Sequence, residues 1–159
     1  MAAKPKSPAC VSCGSVSAKQ DKAKAGYCNR CSKRLWDIAN PVKVRAQRLH
    51  GNATKRAKTF GWPKPDFSSS YIEEKILEAR CEVTGIPFDL TTVHSEYANT
   101  KNPWVPSIDR IDSSKPYLKD NIQIVVYMYN VCKSEFSHTD VLTFVNAVHK
   151  KENENGSKT

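Results

Sequence analysis

Four cysteines near the start of the chain form two close pairs. Two residues separate Cys10 from Cys13 and Cys28 from Cys31, and fourteen residues lie between the pairs. Zinc binds four thiolates in a tetrahedron at about 2.3 Å, and two C-x2-C pairs supply these ligands when the chain between them folds back. Gly14 follows the first pair and can adopt the positive φ that a metal-binding turn needs. The spacing predicts a structural zinc site, which is not catalytic because four thiolates close the coordination shell.

The remaining interpretations of these cysteines are four unlinked thiols or a redox pair. A redox pair is disfavoured because neither C-x-x-C lies on a βαβ pattern. The N-terminal stretch MAAKPKSPAC has no apolar core, and no apolar run approaches the length of about 20 residues that spans a membrane. We therefore expect a cytoplasmic protein with reduced thiols. Cys81 and Cys132 stand alone in the sequence and are expected to be small buried apolar residues.

The positive charge is concentrated in the first part of the chain. Residues 1–65 contain 15 Lys and Arg against 2 acids, a net charge of +13, whereas residues 66–159 contain 10 against 14, a net charge of −4. Such an excess attracts a polyanion. The residues expected to contact the phosphates of double-stranded DNA are Lys43, Arg45, Arg48, Lys55, Arg56 and Lys58. The alternative is a solvated basic segment that only aids solubility, and neither interpretation implies base-specific recognition.

The elements that carry these residues can be read from local signals. Asn40-Pro41 is typical of a helix start, and the basic segment that follows is prone to helix formation, with a break expected at Gly51-Asn52. The prolines and serines of WPKPDFSSS, residues 62–70, predict a linker. A capping box from Ser70 to Glu73 then predicts a helix that ends near Cys81.

The second half of the chain predicts two strands followed by helices. A short strand is expected over residues 107–112, and the β-branched run IQIVV, residues 122–126, predicts a second. A helix is expected to begin near Tyr127, and a last helix with one apolar face is expected from about Thr139 to Lys150. The charged tail after it is expected to be disordered.

Two segments of this half resemble the HNH endonucleases, especially small phage-type members. They are CEVTGIPFDL, residues 81–90, and WVPSIDRIDSSKPYLKDNIQIVVYMYNVCK, residues 104–133. The resemblance covers roughly residues 71–145, and its most specific part is the ordered set D-R-I-D, D-N and N-x-x-K. The catalytic unit of this family is a ββα-metal fold, in which two strands, a loop and a helix enclose one divalent ion.

The local signals and the resemblance together predict a mostly helical α+β protein in four parts. These are a basic tail with a zinc element (1–39), a basic helix with a linker (40–70), an HNH-like ββα-metal domain (71–150) and a disordered tail (151–159). Thr84 stands where many relatives have a second C-x-x-C partner, so no second zinc is expected. The core of this domain is instead expected from Phe88, Trp104, Ile124 and Phe144.

The resemblance also assigns roles to individual residues. Asp109 and Asn130 match the two ligand positions, and oxygen ligands suit Mg2+ or Mn2+. Asn121 matches the residue that braces the loop and orients the first strand, and Lys133 is expected to face the phosphate. The implied activity is hydrolysis of DNA phosphodiester bonds, as a nick or a double-strand break, by a phage or mobile-element enzyme.

Arg110 departs from the family pattern, because it stands where the family has the histidine that deprotonates water. Arginine keeps its proton in proteins and is not a general base. It can clamp a phosphate while His94 or a metal-bound hydroxide activates the water. One alternative is a non-catalytic DNA-binding or regulatory protein on a degenerate HNH fold. Another is a zinc knuckle that binds a protein partner, and the oligomeric state is not predicted.

Overall fold

The computed structural model describes residues 9–16, 26–91 and 102–156. The chain divides into two compact units, residues 1–41 and 42–159. The first contains the cysteine cluster and helix α1 (Asn29–Ala39). Helix α2 (Pro41–Thr59) begins at the boundary, and the second unit continues with α3 (Ser69–Leu77), β1 (Pro106–Arg110), β2 (Ile122–Val126), α4 (Tyr127–Lys133) and α5 (His138–Gly156). The chain is therefore a mostly helical α+β protein with a ββα unit towards its C-terminus. Among the residues described, no helix is long and apolar enough to cross a membrane.

Helix α2 is continuous from Pro41 to Thr59, so the break expected at Gly51-Asn52 is wrong. One face of the helix is buried, through Ala46, Leu49, Ala53 and Ala57. This spacing of three and four residues forms a stripe that packs into the same hydrophobic cluster as the sheet. Burial of that stripe outweighs the roughly 1 kcal/mol that glycine costs inside a helix.

The segment expected to be a linker, residues 62–70, is packed into the second unit. Phe67 is buried, and Trp62 packs against the same core cluster. Asp66 Oδ1 accepts a hydrogen bond from the Lys119 backbone N–H at 2.7 Å. Helix α2 and this segment therefore belong to the same compact unit as the ββα element, and no unit boundary lies near residue 70.

Helix α3 begins and ends earlier than the capping box predicts. Ser68 is the N-cap, and its Oγ accepts a hydrogen bond from Tyr71 N at 3.2 Å. The helix ends at Leu77, and Ala79 has a φ of 64°, which terminates the helical path before Cys81. Ile72 and Ile76 are buried as expected, whereas Leu77 is exposed.

Strands β1 and β2 pair antiparallel, with Asp109 opposite Gln123 and Ile108 opposite Ile124. Side chains alternate across a strand, so Asp109 and Ile108 face opposite sides of this two-stranded sheet. The Ile108 side packs against the residues of α2 and α3, in one cluster with Leu49 and Ile76. Asp109 lies on the side that carries α4, whose Lys133 reaches its carboxylate. The prediction of the second strand is confirmed, and the first is shifted by one to two residues.

Helix α5 is longer than predicted. Residues 151–156, expected to be disordered, are helical, and residues 157–159 lie outside the described part of the chain. Ser137 and Asp140 form a reciprocal cap, in which Ser137 N donates to Asp140 Oδ2 at 2.9 Å and Asp140 N donates to Ser137 Oγ at 3.2 Å. Phe144 is exposed, so its expected place in the core is wrong. The core is supplied instead by Tyr129 and Val141, among others.

Candidate active site and metal centre

The four predicted cysteine ligands converge in the first unit. The Sγ atoms of Cys10, Cys13, Cys28 and Cys31 lie within 4.8 Å of one another, and those of Cys13 and Cys28 are 3.9 Å apart. Tetrahedral zinc with Zn–S bonds of about 2.3 Å requires sulfur atoms about 3.8 Å apart. The donor set and its spacing therefore fit one closed structural zinc site.

The surroundings of these sulfur atoms favour thiolate at Cys10. A backbone hydrogen bond from Cys28 N to Cys10 Sγ, 3.3 Å long, is the main cause that lowers the pKa of Cys10 to about 6. The pKa of Cys31 shifts in the opposite direction. A hydrogen bond with Ser12 lowers this pKa, but hydrogen bonds with Cys13 and Cys28 raise it by more, and it reaches about 11. A divalent cation would favour the thiolate at both cysteines, because it stabilises all four thiolates together.

The turn Cys81–Gly85 has the same backbone conformation as the turn Cys10–Gly14 of the cysteine cluster, but it contains one cysteine instead of two. In Cys10–Gly14, Gly14 N donates to Cys10 O at 2.7 Å, and Gly14 has a φ of 68°. In Cys81–Gly85, Gly85 N donates to Cys81 O at 2.9 Å, and Gly85 has a φ of 69°. Thr84 N also donates to Cys81 Sγ at 3.4 Å.

The two lone cysteines lie in different environments. Cys81 is buried as expected, whereas Cys132 is exposed, so the prediction for Cys132 is wrong. Within the described residues, the cysteine cluster near the N-terminus is the one group of at least three Cys, His, Asp or Glu side chains placed to share a metal ion. The turn at Cys81 therefore has the backbone of a metal-binding turn, with Thr84 at the position of the second cysteine.

The candidate catalytic residues converge on the other predicted site. Asp109 and Arg110 from β1 and Asn130 from α4 line one open cleft of about 370 Å³. Asn130 Nδ2 donates to Ser107 Oγ at 2.7 Å and to Ile108 O at 2.8 Å, which fixes the carboxamide beside β1. Its Oδ1 accepts no hydrogen bond from a described residue. The residues that line the cleft therefore include a carboxylate side chain, a carboxamide and a guanidinium.

Lys133 is not placed as the sequence predicts. Its side chain is fully buried, and its ammonium lies 3.3 Å from Asp109 Oδ1, 2.7 Å from Arg110 O and 3.1 Å from Ser113 Oγ. These three acceptors match the three N–H groups of an ammonium. Lys133 therefore holds Asp109 and the start of the following loop, and in this arrangement it does not reach a phosphate in the cleft.

Asp109 is held from two sides. Oδ1 faces Lys133, and Oδ2 accepts a hydrogen bond from Gln123 Nε2 at 2.9 Å. Gln123 is the direct partner of Asp109 across the sheet, so the register of the strands fixes this contact. A carboxylate oxygen has two acceptor positions, so Asp109 retains capacity for a cation as well. An oxygen donor set of Asp109 and Asn130 fits Mg2+ or Mn2+ better than zinc.

Arg110 is held by aromatic rings. Its guanidinium carbon lies 4.7 Å from the centroid of the Trp62 ring and 5.2 Å from that of Tyr117. Its NH1 donates to Lys115 O at 3.1 Å. Stacking orders the guanidinium while leaving further N–H groups to face a phosphate in the cleft. Trp62 lies in a segment expected to be a linker, so sequence reasoning missed its place beside this site.

Asn121 is buried, and its side chain forms hydrogen bonds with the backbone of the loop between the two strands. Its Oδ1 accepts from Asp112 N at 2.9 Å, and its Nδ2 donates to Asp112 O at 3.1 Å and to Pro116 O at 3.0 Å. These bonds fix the loop directly after Arg110. Asn121 therefore braces this loop, and its role in catalysis stays a prediction.

Glu135 also lines the cleft and was missed from the sequence. It follows Ser134, which has a φ of 47°, an uncommon conformation for a residue other than glycine. Ser134 O accepts from Ser113 Oγ at 3.2 Å, and Phe136 N donates to Lys133 O at 2.8 Å, so this turn is fixed on both sides. No described residue forms an ion pair with the Glu135 carboxylate. The only sequence signal was its position five residues after Asn130.

The predicted DNA-contacting residues fall into two groups. Exposed side chains are those of Lys43, Arg48, Lys55, Arg56 and Lys58, and Arg56 also lines the cleft. Arg45 differs, because its Nε donates to Pro106 O at 2.7 Å and its NH2 contacts the same oxygen. Burial, with a smaller effect of Arg48, lowers the pKa of Arg45 to about 10. Arg45 therefore anchors α2 to β1, whereas its contact with phosphate stays a prediction.

Neither His94 nor His138 is placed in the cleft by the described structure. His94, proposed to activate water, lies outside the described residues. His138 Nδ1 lies 2.9 Å from the hydroxyl of Tyr129, at the start of α5. His138 does not line the cleft that contains Asn130.

Comparison with known proteins finds a structural likeness but no match by sequence. No family model matches it, and no curated protein matches it. Among solved structures it resembles the rare-cutting HNH restriction endonuclease PacI, with a TM-score of 0.44 and 20% sequence identity. The likeness covers 94% of this chain and 98% of that chain. At this identity it is a likeness of fold alone.

Proposed function

We propose that this protein is a metal-dependent DNA endonuclease whose active site is the cleft between β1 and α4. The observation that carries the proposal is the convergence of Asp109 and Asn130 on one cleft. These two residues are twenty-one positions apart in the chain, yet both line the same open cleft. The motifs D-R-I-D, D-N and N-x-x-K, which resemble the HNH pattern, supply the same residues in the same order.

The charges around the cleft suit a phosphodiester. Arg110 and Arg56 line it, and the exposed basic residues of α2 continue the positive surface. Such residues bind the DNA backbone without reading sequence. In this proposal the stacked guanidinium of Arg110 holds the scissile phosphate, and Asn130 and Asp109 supply oxygen ligands. A divalent ion held there would act as a Lewis acid on the phosphoryl oxygen and the leaving 3′ oxygen.

Glu135 is the group we assign to water activation, because Arg110 does not accept a proton. Its carboxylate takes a proton from a water molecule, and the resulting hydroxide attacks the phosphorus atom. The bond from phosphorus to the 3′ oxygen then breaks, and the 3′ oxygen takes a proton from solvent. The products carry a 5′ phosphate and a 3′ hydroxyl. A positioned base of this kind typically contributes 10²- to 10⁴-fold to the rate.

A second function is favoured by one specific observation. The ammonium of Lys133 lies 3.3 Å from Asp109 Oδ1. A protein that only binds DNA could use this internal cation in place of a metal ion. The two functions differ in cleavage and in metal binding, and both retain binding to DNA that weakens with salt.

A plasmid-nicking assay with Mg2+ or Mn2+ tests the proposal. We expect the wild-type chain to convert supercoiled plasmid to open circles, Asp109→Ala to abolish this, and Glu135→Gln to slow it roughly 100-fold. Glu74→Gln is the matched control, because Glu74 is an exposed carboxylate on α3. Binding of DNA without nicking by the wild type under any divalent ion contradicts the nuclease proposal and supports the binding protein.

A further inference from the structure

Helix α5 presents a row of apolar side chains to solvent. The exposed fractions are 46% for Leu142, 63% for Phe144, 49% for Val145 and 47% for Val148. These positions repeat at helical spacing, so three of them continue the line of the buried Val141 along one face. A contiguous exposed apolar face of this kind typically marks a protein interaction surface.

The rest of the described unit leaves this face open. Val141 is the one buried residue that the structure describes in α5, where it joins the cluster of Cys81, Val126 and Tyr129. The helix has 19 residues and is therefore roughly 28 Å long. Val141 and His138, both in its first turn, contact the core cluster and Tyr129.

The charges beside the apolar face are arranged for pairing with the same helix in reverse. Asp140 and Lys151 are eleven residues apart, which is three turns plus about 20° of rotation. Both therefore lie on the same flank of the apolar row, near opposite ends of it. When two such helices pack antiparallel, residues on the same flank face each other. A twofold axis beside Val145 then places Asp140 opposite Lys151 of the other copy, twice in each dimer.

We propose that α5 is a self-association surface and that its partner is a second copy of this chain. In the dimer the two α5 helices pack antiparallel, with Val145 beside the axis and Phe144 and Val148 packed against the other helix. The interface is isologous, because each copy contributes the same patch. An ion pair between Asp140 of one copy and Lys151 of the other then lies at each end of the apolar row. A partner helix with a different order of charges does not form these ion pairs.

The contact is small, so association depends on concentration. Stable interfaces bury about 800 Å² on each partner, more than one helix face of this length supplies. We therefore expect a monomer–dimer equilibrium. Light scattering should give a mass that rises with protein concentration from 17.8 kDa towards twice that value. Val145→Glu should hold the mass at that of the monomer with unchanged helix content, since it places two carboxylates together at the axis.

Cross-linking tests the geometry directly. Val145→Cys and Thr143→Cys are made in a zinc-loaded Cys132→Ser chain and treated with a short bismaleimide. Thr143 is the matched control, because it is exposed and lies about 160° around the helix from Val145. We expect Val145→Cys to form covalent dimers while Thr143→Cys and the background chain remain monomers, and Lys151→Glu to reduce the dimer yield.

Three results overturn this proposal. A wild-type mass that stays at 17.8 kDa over the whole concentration range excludes self-association. Equal cross-linking at positions 143 and 145 shows random collision. A dimer unaffected by Val145→Glu has its interface elsewhere. None of these measurements depends on cleavage of DNA, so their outcome is independent of the nuclease proposal.

Discussion

The ammonium of Lys133 lies 3.3 Å from Asp109 Oδ1 inside the protein, and the two side chains are 0% and 2% exposed. Charged groups this deeply buried occur almost only in pairs. The pair joins α4 to β1, so the carboxylate assigned to metal binding is also part of the fold. Fold stability and site chemistry are therefore coupled at Asp109.

Lys133→Met should destabilise the protein strongly, by about 3–5 kcal/mol in the free energy of unfolding, because it leaves the Asp109 carboxylate buried without its partner. Urea denaturation of the zinc-loaded chain measures this. Methionine keeps the length of the side chain, so lost packing contributes little. In the double variant with Asp109→Asn, neither partner is charged, and we expect a loss smaller than the sum of the two single losses. Additive losses would mean that the two groups do not interact.

Substitution of Arg45 should affect mainly the stability of the protein, and substitution of Arg48 mainly its affinity for DNA, although the two residues are three positions apart on α2. Arg45→Met leaves the buried carbonyl of Pro106 without its donor and should cost about 1–3 kcal/mol of stability. Arg48→Met should change stability by less than about 0.5 kcal/mol, yet weaken DNA binding and reduce its salt slope by about 1. Fluorescence anisotropy at several salt concentrations and urea melts give both quantities. Equal changes in stability and in DNA affinity for the two variants would contradict these separate roles of Arg45 and Arg48.

Two glycines should respond oppositely to the same substitution. Gly85 has a φ of 69°, where a Cβ costs roughly 1–2 kcal/mol, so Gly85→Ala should lower stability. Gly51 lies inside α2, and a Cβ there meets no atom within 4 Å. Gly51→Ala should therefore raise stability by about 0.5–1 kcal/mol. Stabilisation by both substitutions would show that the turn at Cys81 does not hold the described conformation.

Zinc removal should unfold the cysteine unit and leave the other unit folded. In the described part of this unit the buried cluster consists of cysteines, with Tyr27 packed against them, so metal binding supplies most of its folding free energy. We expect one zinc per chain by elemental analysis and loss of that zinc in Cys10→Ser and Cys28→Ser. Cys132→Ser is the control and should retain the metal, because Cys132 is exposed and outside the cluster. Full zinc content in the Cys10→Ser chain would argue against the four-thiolate site.

Local signals in the sequence predict the elements well. Two C-x2-C pairs predict a convergence of four sulfur atoms, since only a few backbone turns bring such pairs together. The β-branched run of residues 122–126 predicts β2 with its observed bounds. The ordered motif of Asp109, Asn121 and Asn130 predicts one site, and the structure brings Asp109 and Asn130 to the same cleft.

The differences between expectation and structure arise where tertiary contacts override local signals. Gly51 does not break α2, because the alanines around it are buried against the sheet. Lys133 and Arg45 have the charge expected of phosphate ligands, but interior acceptors hold their side chains. A sequence does not show which charged residue meets a buried carbonyl. Glu135 was missed because its place in the cleft depends on the positive φ of Ser134.

Calorimetric titration of Mn2+ into the zinc-loaded chain measures whether Asp109 and Asn130 hold one divalent ion. We expect one Mn2+ site per chain that is lost in Asp109→Asn and Asn130→Ala and retained in Glu74→Gln. Absence of a site in the wild type, or a site that both substitutions leave intact, would contradict this expectation.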